Sequence, residues 1–194
     1  WTMAEFSSTF DRCVDDNFFE KASGHFLAFE HNFSTDWVCE NVPVELCYAA
    51  GNALLRYQCP VTCGCRDPRS AQYLNGPTFG CPWKACASSD EHNEALEMIS
   101  CTVANSAEME VDANWVTLID NMLRVGEDLG VDWSEEHAGF TAEGCAFILR
   151  SESNLCTGSG EFLSFSRWCP VECGCRAPHP ARAVDFNPSL CPPG

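Results

Sequence analysis

The chain has 194 residues, of which 15 are cysteine, and its 28 acidic and 11 basic side chains give a net charge of −17. A charge of this sign and size repels phosphate backbones and anionic membrane surfaces, which excludes nucleic acids as partners. Cysteine enrichment in a short chain is typical of a disulfide scaffold, and disulfides persist only in an oxidising compartment.

We therefore expect a protein that is secreted or that occupies an organelle lumen. No run of 18 apolar residues occurs, so we predict no direct insertion into a membrane. No charged start followed by an apolar core is present, so we expect Trp1 to be a processed N-terminus. A zinc protein is the alternative, but the repeated cysteine pattern lacks the two-by-two spacing of zinc ligands.

The first segment, residues 1–36, predicts a helix followed by a short strand. The helix covers 9–22, and its apolar face at helical spacing consists of Phe10, Cys13, Val14 and Phe18. Aromatic residues alternate weakly over 25–33, which predicts the strand. Asn32 begins the only usable acceptor pattern for N-glycosylation, because the other candidate, Asn187, precedes a proline.

An internal repeat dominates the rest of the chain. The segment CPVTCGCR at 59–66 matches CPVECGCR at 169–176 in seven of eight positions, and in both copies 15 residues separate the last cysteine of the motif from a further cysteine. We predict two homologous six-cysteine modules, at 37–86 and 143–194. The twelve cysteines expected to form disulfides are Cys39, Cys47, Cys59, Cys63, Cys65, Cys81, Cys145, Cys156, Cys169, Cys173, Cys175 and Cys191.

The pairing of these cysteines stays open, because six cysteines allow 15 connectivities in each module. Cys63 and Cys65 are too close to bond to each other without strain, so each is expected to reach a distant partner. Three further cysteines, Cys13, Cys86 and Cys101, lie outside the two sets. Because three is odd, at least one of them is free, bonds to another chain or breaks the symmetry.

The predicted regular structure is mainly α-helical. Within the modules, 44–56 and 145–155 are expected to form helices, and the chain after each Cys-Gly-Cys is expected to be irregular. Residues 87–142 are predicted to be a helical insert between the modules. We therefore expect a small, disulfide-rich, mainly α fold with irregular loops.

Two helices are predicted within the insert. Ser88 and Glu91 have the spacing of a capping box, and Leu96, Ile99 and Val103 would form the inner side of the helix that follows. Residues 112–125 predict the other helix, with Asp112 as its cap and Gly126 as its stop. Its apolar stripe consists of Trp115, Leu118, Ile119, Met122 and Leu123.

We find no pattern typical of an active site, and we predict that the protein has no catalytic residues, no cofactor and no metal. Cys-Gly-Cys is close to a redox pair, but thioredoxin-like alternation of strands and helices is lacking, so a structural disulfide role is favoured. The acidic stretches at 15–16 and 127–136 lack the alternating oxygen spacing of a calcium loop. No histidine has metalloprotease spacing; the five are His25, His31, His92, His137 and His179.

On the Cys-Pro-Val-x-Cys-Gly-Cys segments, each module resembles the ShK-like cysteine-rich domains, which close with Cys-x-x-x-Cys-x-x-Cys. It is more closely similar to the divergent six-cysteine repeats of exported dinoflagellate proteins. One residue, not two, separates the last two cysteines here, so the ShK pairing is not transferred. Channel block, which some ShK members achieve with a lysine beside an aromatic, is not expected, because Lys84 is the only lysine in either module.

The resemblance implies a recognition or structural module, and three hypotheses follow. The first is a non-catalytic subunit that binds proteins in a larger assembly, one form being an extrinsic subunit of a photosynthetic membrane complex in the thylakoid lumen. The second is a secreted module that binds carbohydrate or a cell-surface partner. The third is a redox or metal-dependent enzyme. We favour the first, because catalytic motifs are absent and the cysteine architecture is repeated. The 13 phenylalanines and six tryptophans also exceed what two small cysteine modules can bury, and any exposed remainder would suit a protein interface.

Overall fold

A computed structural model describes residues 12–16, 22–34, 36–102, 106–151, 155–156 and 162–175. The α-helices in these residues are α1 (Ala22–Glu30), α2 (Ala53–Gln58), α3 (Trp83–Ala87), α4 (Asp90–Glu97), α5 (Ser106–Met109), α6 (Ala113–Leu129) and α7 (Ser134–Glu143). Short 3-10 helices cover Cys39–Asn41, Val44–Tyr48, Pro77–Phe79, Gly144–Leu149 and Phe165–Arg167.

The prediction of a small, mainly helical, disulfide-rich protein is confirmed. The described residues contain no β-sheet, and a single antiparallel bridge joins Leu74 to Phe162. Over the same residues, no helix has the length and apolar character needed to cross a membrane.

Six disulfides join described residues, and five of them lie within the two six-cysteine sets that the sequence indicates. The first four cysteines of each set pair in the same way. The first cysteine bonds to the third, and the second bonds to the fourth. The bonds within the sets are Cys39–Cys59, Cys47–Cys63, Cys65–Cys81, Cys145–Cys169 and Cys156–Cys173. Cys175 is also disulfide-bonded, and Cys191 lies outside the described residues.

The two Cys-Pro-Val-x-Cys-Gly-Cys segments have the same backbone geometry. The amide of Cys65 donates to the carbonyl of Pro60, and the amide of Cys175 donates to that of Pro170, both at 2.8 Å. The glycine between the last two cysteines has φ of 76° in the first segment and 71° in the second, a conformation that glycine adopts without strain. Each segment therefore forms one tight turn whose two neighbouring cysteines bond to different partners.

The three remaining cysteines divide into one disulfide and one thiol. Cys13 bonds to Cys86 across 73 positions of sequence, and Cys101 is free and buried. The helix predicted over 9–22 is wrong for residues 12–16, which are irregular. There Val14 is 55% exposed, and the Asp16 amide donates a hydrogen bond to the carbonyl of Gln58 instead of to a helical partner. Phe10 and Phe18 lie outside the described residues.

The strand predicted over 25–33 is also wrong, because residues 22–30 form α1. Gly24 and Leu27 are buried, and they lie three positions apart, which is helical spacing. The turn after the helix is closed by hydrogen bonds from the amides of His31 and Phe33 to carbonyls of the helix.

One hydrophobic core, here called the disulfide core, joins the N-terminal residues to the first cysteine set. Eight of its members are cysteines. Its other members are Leu27, Trp37, Val42, Tyr48, Leu55 and Ala71. Because so few large apolar side chains are present, the four disulfides provide much of the cross-linking that packing supplies in larger cores.

The longest helix, α6, carries the apolar stripe that the sequence predicts. Asp112 caps its first turn by accepting hydrogen bonds from the amides of Asn114 and Trp115. The predicted stop at Gly126 is wrong, since α6 continues to Leu129 and ends at Gly130, whose φ is 69°. Gly126 is instead buried inside the helix, where a Cβ atom would lie 2.7 Å from the carbonyl oxygen of Val131.

The second core, here called the aromatic core, packs α6 against α7 and the second cysteine set. Phe140 stacks on Phe165 with ring centroids 4.4 Å apart, and its edge meets Trp115 at 5.5 Å. Tyr73 and Leu74, from the predicted first module, are also members. The two cysteine sets are therefore in direct contact, since the amide of Leu163 also donates to the carbonyl of Tyr73 at 2.8 Å.

The predicted helices near the cysteines are shorter than expected. Residues 44–56 contain a 3-10 helix and the start of α2, and 145–149 continue a 3-10 helix. In the insert, the cap of α4 is Ser89 and not Ser88, because the Ser89 hydroxyl accepts from the amide of His92. Ile99 is buried although α4 ends before it, and Val103 lies outside the described residues.

Candidate interaction sites

Two phenylalanines on α1 lie in solvent. Leu27 on the inner side of the helix is 1% exposed, and the Trp37 indole donates to the carbonyl of Gly24 at 3.2 Å, so this side is held against the disulfide core. Phe26 and Phe29, three positions apart on the other side, are 53% and 88% exposed. We call this pair the α1 aromatic face.

Asn32, the glycosylation candidate, lies just beyond the α1 aromatic face. It has φ of 54°, in the left-handed region that asparagine tolerates better than most residues, and it is exposed. The following Phe33 packs its ring 5.3 Å from that of Trp37. The amide of Asn32 is thus accessible, and its glycosylation stays a prediction.

A groove with a volume of about 200 Å³ lies between α6 and α7. Its apolar floor consists of Met109, Trp115, Ile119 and Phe140, all of them buried members of the aromatic core. Val116, 42% exposed, extends the apolar surface to the edge of the groove. Since Met109, Trp115, Ile119 and Phe140 are fixed by their packing, the groove is a preformed feature of this core.

The rim of the groove is polar and carries two carboxylates. Asp120 on α6 and His137 on α7 approach each other, with Nε2 of the histidine 3.4 Å from Oδ1 of the aspartate. Glu110 is exposed on the same rim. The Thr141 hydroxyl donates to the backbone carbonyl of His137 at 2.8 Å, so it is engaged within α7 and not directed at the His–Asp pair as a nucleophile would be.

The other histidines are dispersed. His92 is 3% exposed, and its Nδ1 lies 2.6 Å from the carbonyl oxygen of Arg66. Burial lowers the pKa of His92, and the nearby Arg167 lowers it further, while the hydrogen bond to Arg66 opposes the shift. His25 is exposed on α1, and His179 lies outside the described residues.

The two Cys-Gly-Cys segments do not form redox pairs in this structure. A redox dithiol would need its own two cysteines to bond to each other. Cys63 bonds to Cys47 and Cys65 bonds to Cys81, so both sulfurs of the first segment are held by distant partners. The redox interpretation therefore finds no support here.

Carboxylates of the acidic stretches bind backbone amides. Asp15 accepts hydrogen bonds from the amides of Val61 and Thr62 and from the Thr62 hydroxyl, so it caps the first Cys-Gly-Cys turn from outside. Asp128 accepts a hydrogen bond from the amide of Ala50 at 3.0 Å. Among the described residues, no cluster of three or more histidine, cysteine, aspartate or glutamate side chains is placed to hold a metal ion.

Comparisons with models of protein families, with curated proteins and with solved structures find no match to this chain. The interaction sites therefore depend on the structure alone. Sequence reasoning missed Phe26 and Phe29 because it assigned a strand to this segment, and the helix has too weak an amphipathic pattern of its own to indicate them. The contact between Asp120 and His137 has no sequence signal, since the two residues lie on different helices 17 positions apart.

Proposed function

We propose that this chain is a non-catalytic interaction subunit that docks on a protein partner within a larger assembly. The observation that carries the proposal is the α1 aromatic face. Phenylalanine is among the residues enriched at protein interfaces, and a side chain that is 88% exposed, as Phe29 is, retains nearly all of its apolar surface for a partner to cover.

The rigidity of α1 supports this role. The inner side of α1 is fixed by Leu27 in the disulfide core and by the hydrogen bond from Trp37. Cys86, whose bond to Cys13 holds the N-terminal residues, belongs to the same core. A preformed apolar surface loses little conformational entropy on binding, so more of the burial energy contributes to affinity.

We also propose that the two cysteine sets are copies of one module. The equal backbone geometry of the two turns and the equal order of the bonds support common descent. The compartment we propose is oxidising, because six disulfides would not persist in a reducing one. The resemblance to dinoflagellate repeats supports a more specific form, in which the assembly is a photosynthetic complex and the compartment is the thylakoid lumen.

The test is incorporation into the native assembly. We would label the oxidised chain, add it to solubilised extract of its source, and measure the fraction that migrates with a larger species in native size analysis. Burial of Phe29 and the exposed half of Phe26 would contribute about 3 kcal/mol, so the double variant Phe26→Ser/Phe29→Ser should weaken incorporation about 100-fold.

A matched control separates the α1 aromatic face from general surface hydrophobicity. Met98→Ser removes another large apolar side chain, 86% exposed and at the end of α4, and should incorporate like the wild type. The proposal is wrong if the wild-type chain migrates alone at its native concentration. It is also wrong if the double variant incorporates as well as the wild type.

A further inference from the structure

We propose that the groove between α6 and α7 binds one arginine side chain of a basic segment on the protein partner. This inference rests on the proposed function and extends it, since it assigns a second contact and a chemistry to the partner. The groove is smaller than the roughly 300–1,000 Å³ that is usual for small-molecule pockets, so its volume of about 200 Å³ suits a single side chain.

The apolar floor of the groove favours a side chain that is apolar along its length. Trp115, Ile119 and Phe140 present ring and aliphatic carbon to it, and Val116 continues that surface outward. Trp115, Ile119 and Phe140 are at most 4% exposed, so a long aliphatic stem would pack against this floor and would remove mainly the exposed part of Val116 from water. Arginine and lysine carry such a stem and keep their charged head at the surface.

The rim selects a positive head group. Asp120 and Glu110 place two carboxylates at the mouth, and no lysine or arginine is among the described residues that line the groove. The side chain of Asp120 is 70% exposed, so its oxygens remain accessible beside His137. With a net charge of −17 over the whole chain, electrostatic attraction would also steer a basic segment towards this surface.

Arginine suits the site better than lysine for two geometric reasons. A planar guanidinium can donate two parallel hydrogen bonds to the carboxylate of Asp120. It can also stack on an aromatic ring, and the imidazole of His137 lies at the same rim. A lysine ammonium offers a point charge without either contact.

The test uses two capped hexapeptides of sequence Gly-Ser-Leu-X-Ser-Gly, in which X is arginine or its neutral isostere citrulline. Each is titrated into the oxidised, isotopically labelled chain at low ionic strength, and amide and indole NMR signals are followed. We expect the arginine peptide to shift the signals of Trp115, Asp120 and His137 and to bind about tenfold more tightly than the citrulline peptide. Adding 0.5 M salt should remove most of that difference, because a charge at an exposed rim is screened.

Asp120→Asn should lower the affinity for the arginine peptide to about that for the citrulline peptide. Glu97 is an exposed carboxylate outside the groove, so the control variant Glu97→Gln should leave the affinity unchanged. Equal affinity for the two peptides, or signal changes confined to other surfaces, would overturn the inference. Asp120→Asn also enters the incorporation assay. If it incorporates like the wild type while Phe26→Ser/Phe29→Ser does not, the groove proposal fails and the proposed function stands.

Discussion

Arg56 is a fully buried cation at the centre of the first cysteine set, and its replacement tests how that set is held together. Its guanidinium is 0% exposed and donates hydrogen bonds to the backbone carbonyls of Cys47, Ala49, Ala50 and Phe79. These acceptors lie in two separate segments, the 3-10 helix Val44–Tyr48 with the turn that follows it and the 3-10 helix Pro77–Phe79. The side chain therefore joins segments that share no regular secondary structure.

The expected cost of Arg56→Met follows from two opposing contributions. Four hydrogen bonds from a charged donor, at about 1.5 kcal/mol each, stabilise the fold by about 6 kcal/mol. Burial lowers the pKa of Arg56 from 12.5 to about 10, which corresponds to a cost of about 3 kcal/mol for holding the charge away from water. Since methionine recovers that cost but leaves four carbonyls without their donor, we expect a net loss of about 3 kcal/mol.

Unfolding in urea with the disulfides intact measures this loss, and thermal unfolding should show a midpoint lower by about 6–12 °C. Arg124→Met is the matched control, because Arg124 is exposed and makes a single long hydrogen bond of 3.4 Å to the carbonyl of Glu45. It should change stability by less than about 0.5 kcal/mol. If both variants unfold at the same urea concentration, the buried guanidinium does not organise this cysteine set.

Three further predictions concern the N-terminal disulfide, the free thiol and a buried histidine. The double variant Cys13→Ser/Cys86→Ser, which opens a loop of 73 positions, should lose about 4 kcal/mol in urea unfolding; a loss below about 1 kcal/mol would contradict the loop-entropy account. Thiol titration without reductant should find no fast-reacting thiol in the native protein and one in urea. The variant Cys101→Ser should lack the thiol that reacts in urea, and several reactive thiols in the wild type would contradict the pairing described above. Because burial lowers the pKa of His92, the unfolded chain binds more protons below about pH 6.5, so stability should fall as the pH is lowered from 7.5 to 5. His92→Gln should show a smaller decrease in its urea midpoint over that range, and an equal decrease would refute this assignment.

The helix α6 shows what the sequence determines and where it becomes ambiguous. Its amphipathic stripe and the Asp112 cap predicted its start, because both depend on neighbouring residues only. Its end was mispredicted because two glycines, Gly126 and Gly130, fit the rule for a stop. The helix ends at Gly130, which has the left-handed conformation of a stop, whereas Gly126 permits a close contact, since a Cβ there would lie 2.7 Å from the Val131 carbonyl oxygen and 3.1 Å from the Trp133 ring.

The segment around α1 shows the opposite case, in which a local pattern misled. Phe29, His31 and Phe33 alternate as in a strand, but the buried positions Gly24 and Leu27 follow helical spacing. A nine-residue helix whose large aromatic side chains lie on the exposed side has a weak periodicity of its own, so tertiary packing decides its structure. The same error concealed the α1 aromatic face, since a strand would have placed Phe26 opposite Phe29.

The disulfides were predictable as a class but not as a set of pairs. Spacing required distant partners for Cys63 and Cys65, and the structure supplies them. The remaining choice depends on which Cα atoms approach within about 4.4–6.8 Å, which is a property of the folded chain. The groove was unpredictable for the same reason, because Asp120 and His137 meet only after α7 folds back on α6.

The two cores hold the two proposed contacts by different means. The α1 aromatic face depends on the disulfide core, in which eight cysteines surround a small number of large apolar side chains, including Leu27. The groove depends on the aromatic core, whose floor residues Trp115 and Phe140 are fixed by direct ring packing. The aromatic core also contains two disulfides, Cys145–Cys169 and Cys156–Cys173, but its cysteines are a minority beside aromatic and aliphatic side chains, so we expect oxidation to be a stricter requirement for α1 than for the groove. A partner that uses both contacts would bind the fully oxidised chain most tightly, which links the compartment of the protein to its capacity for assembly.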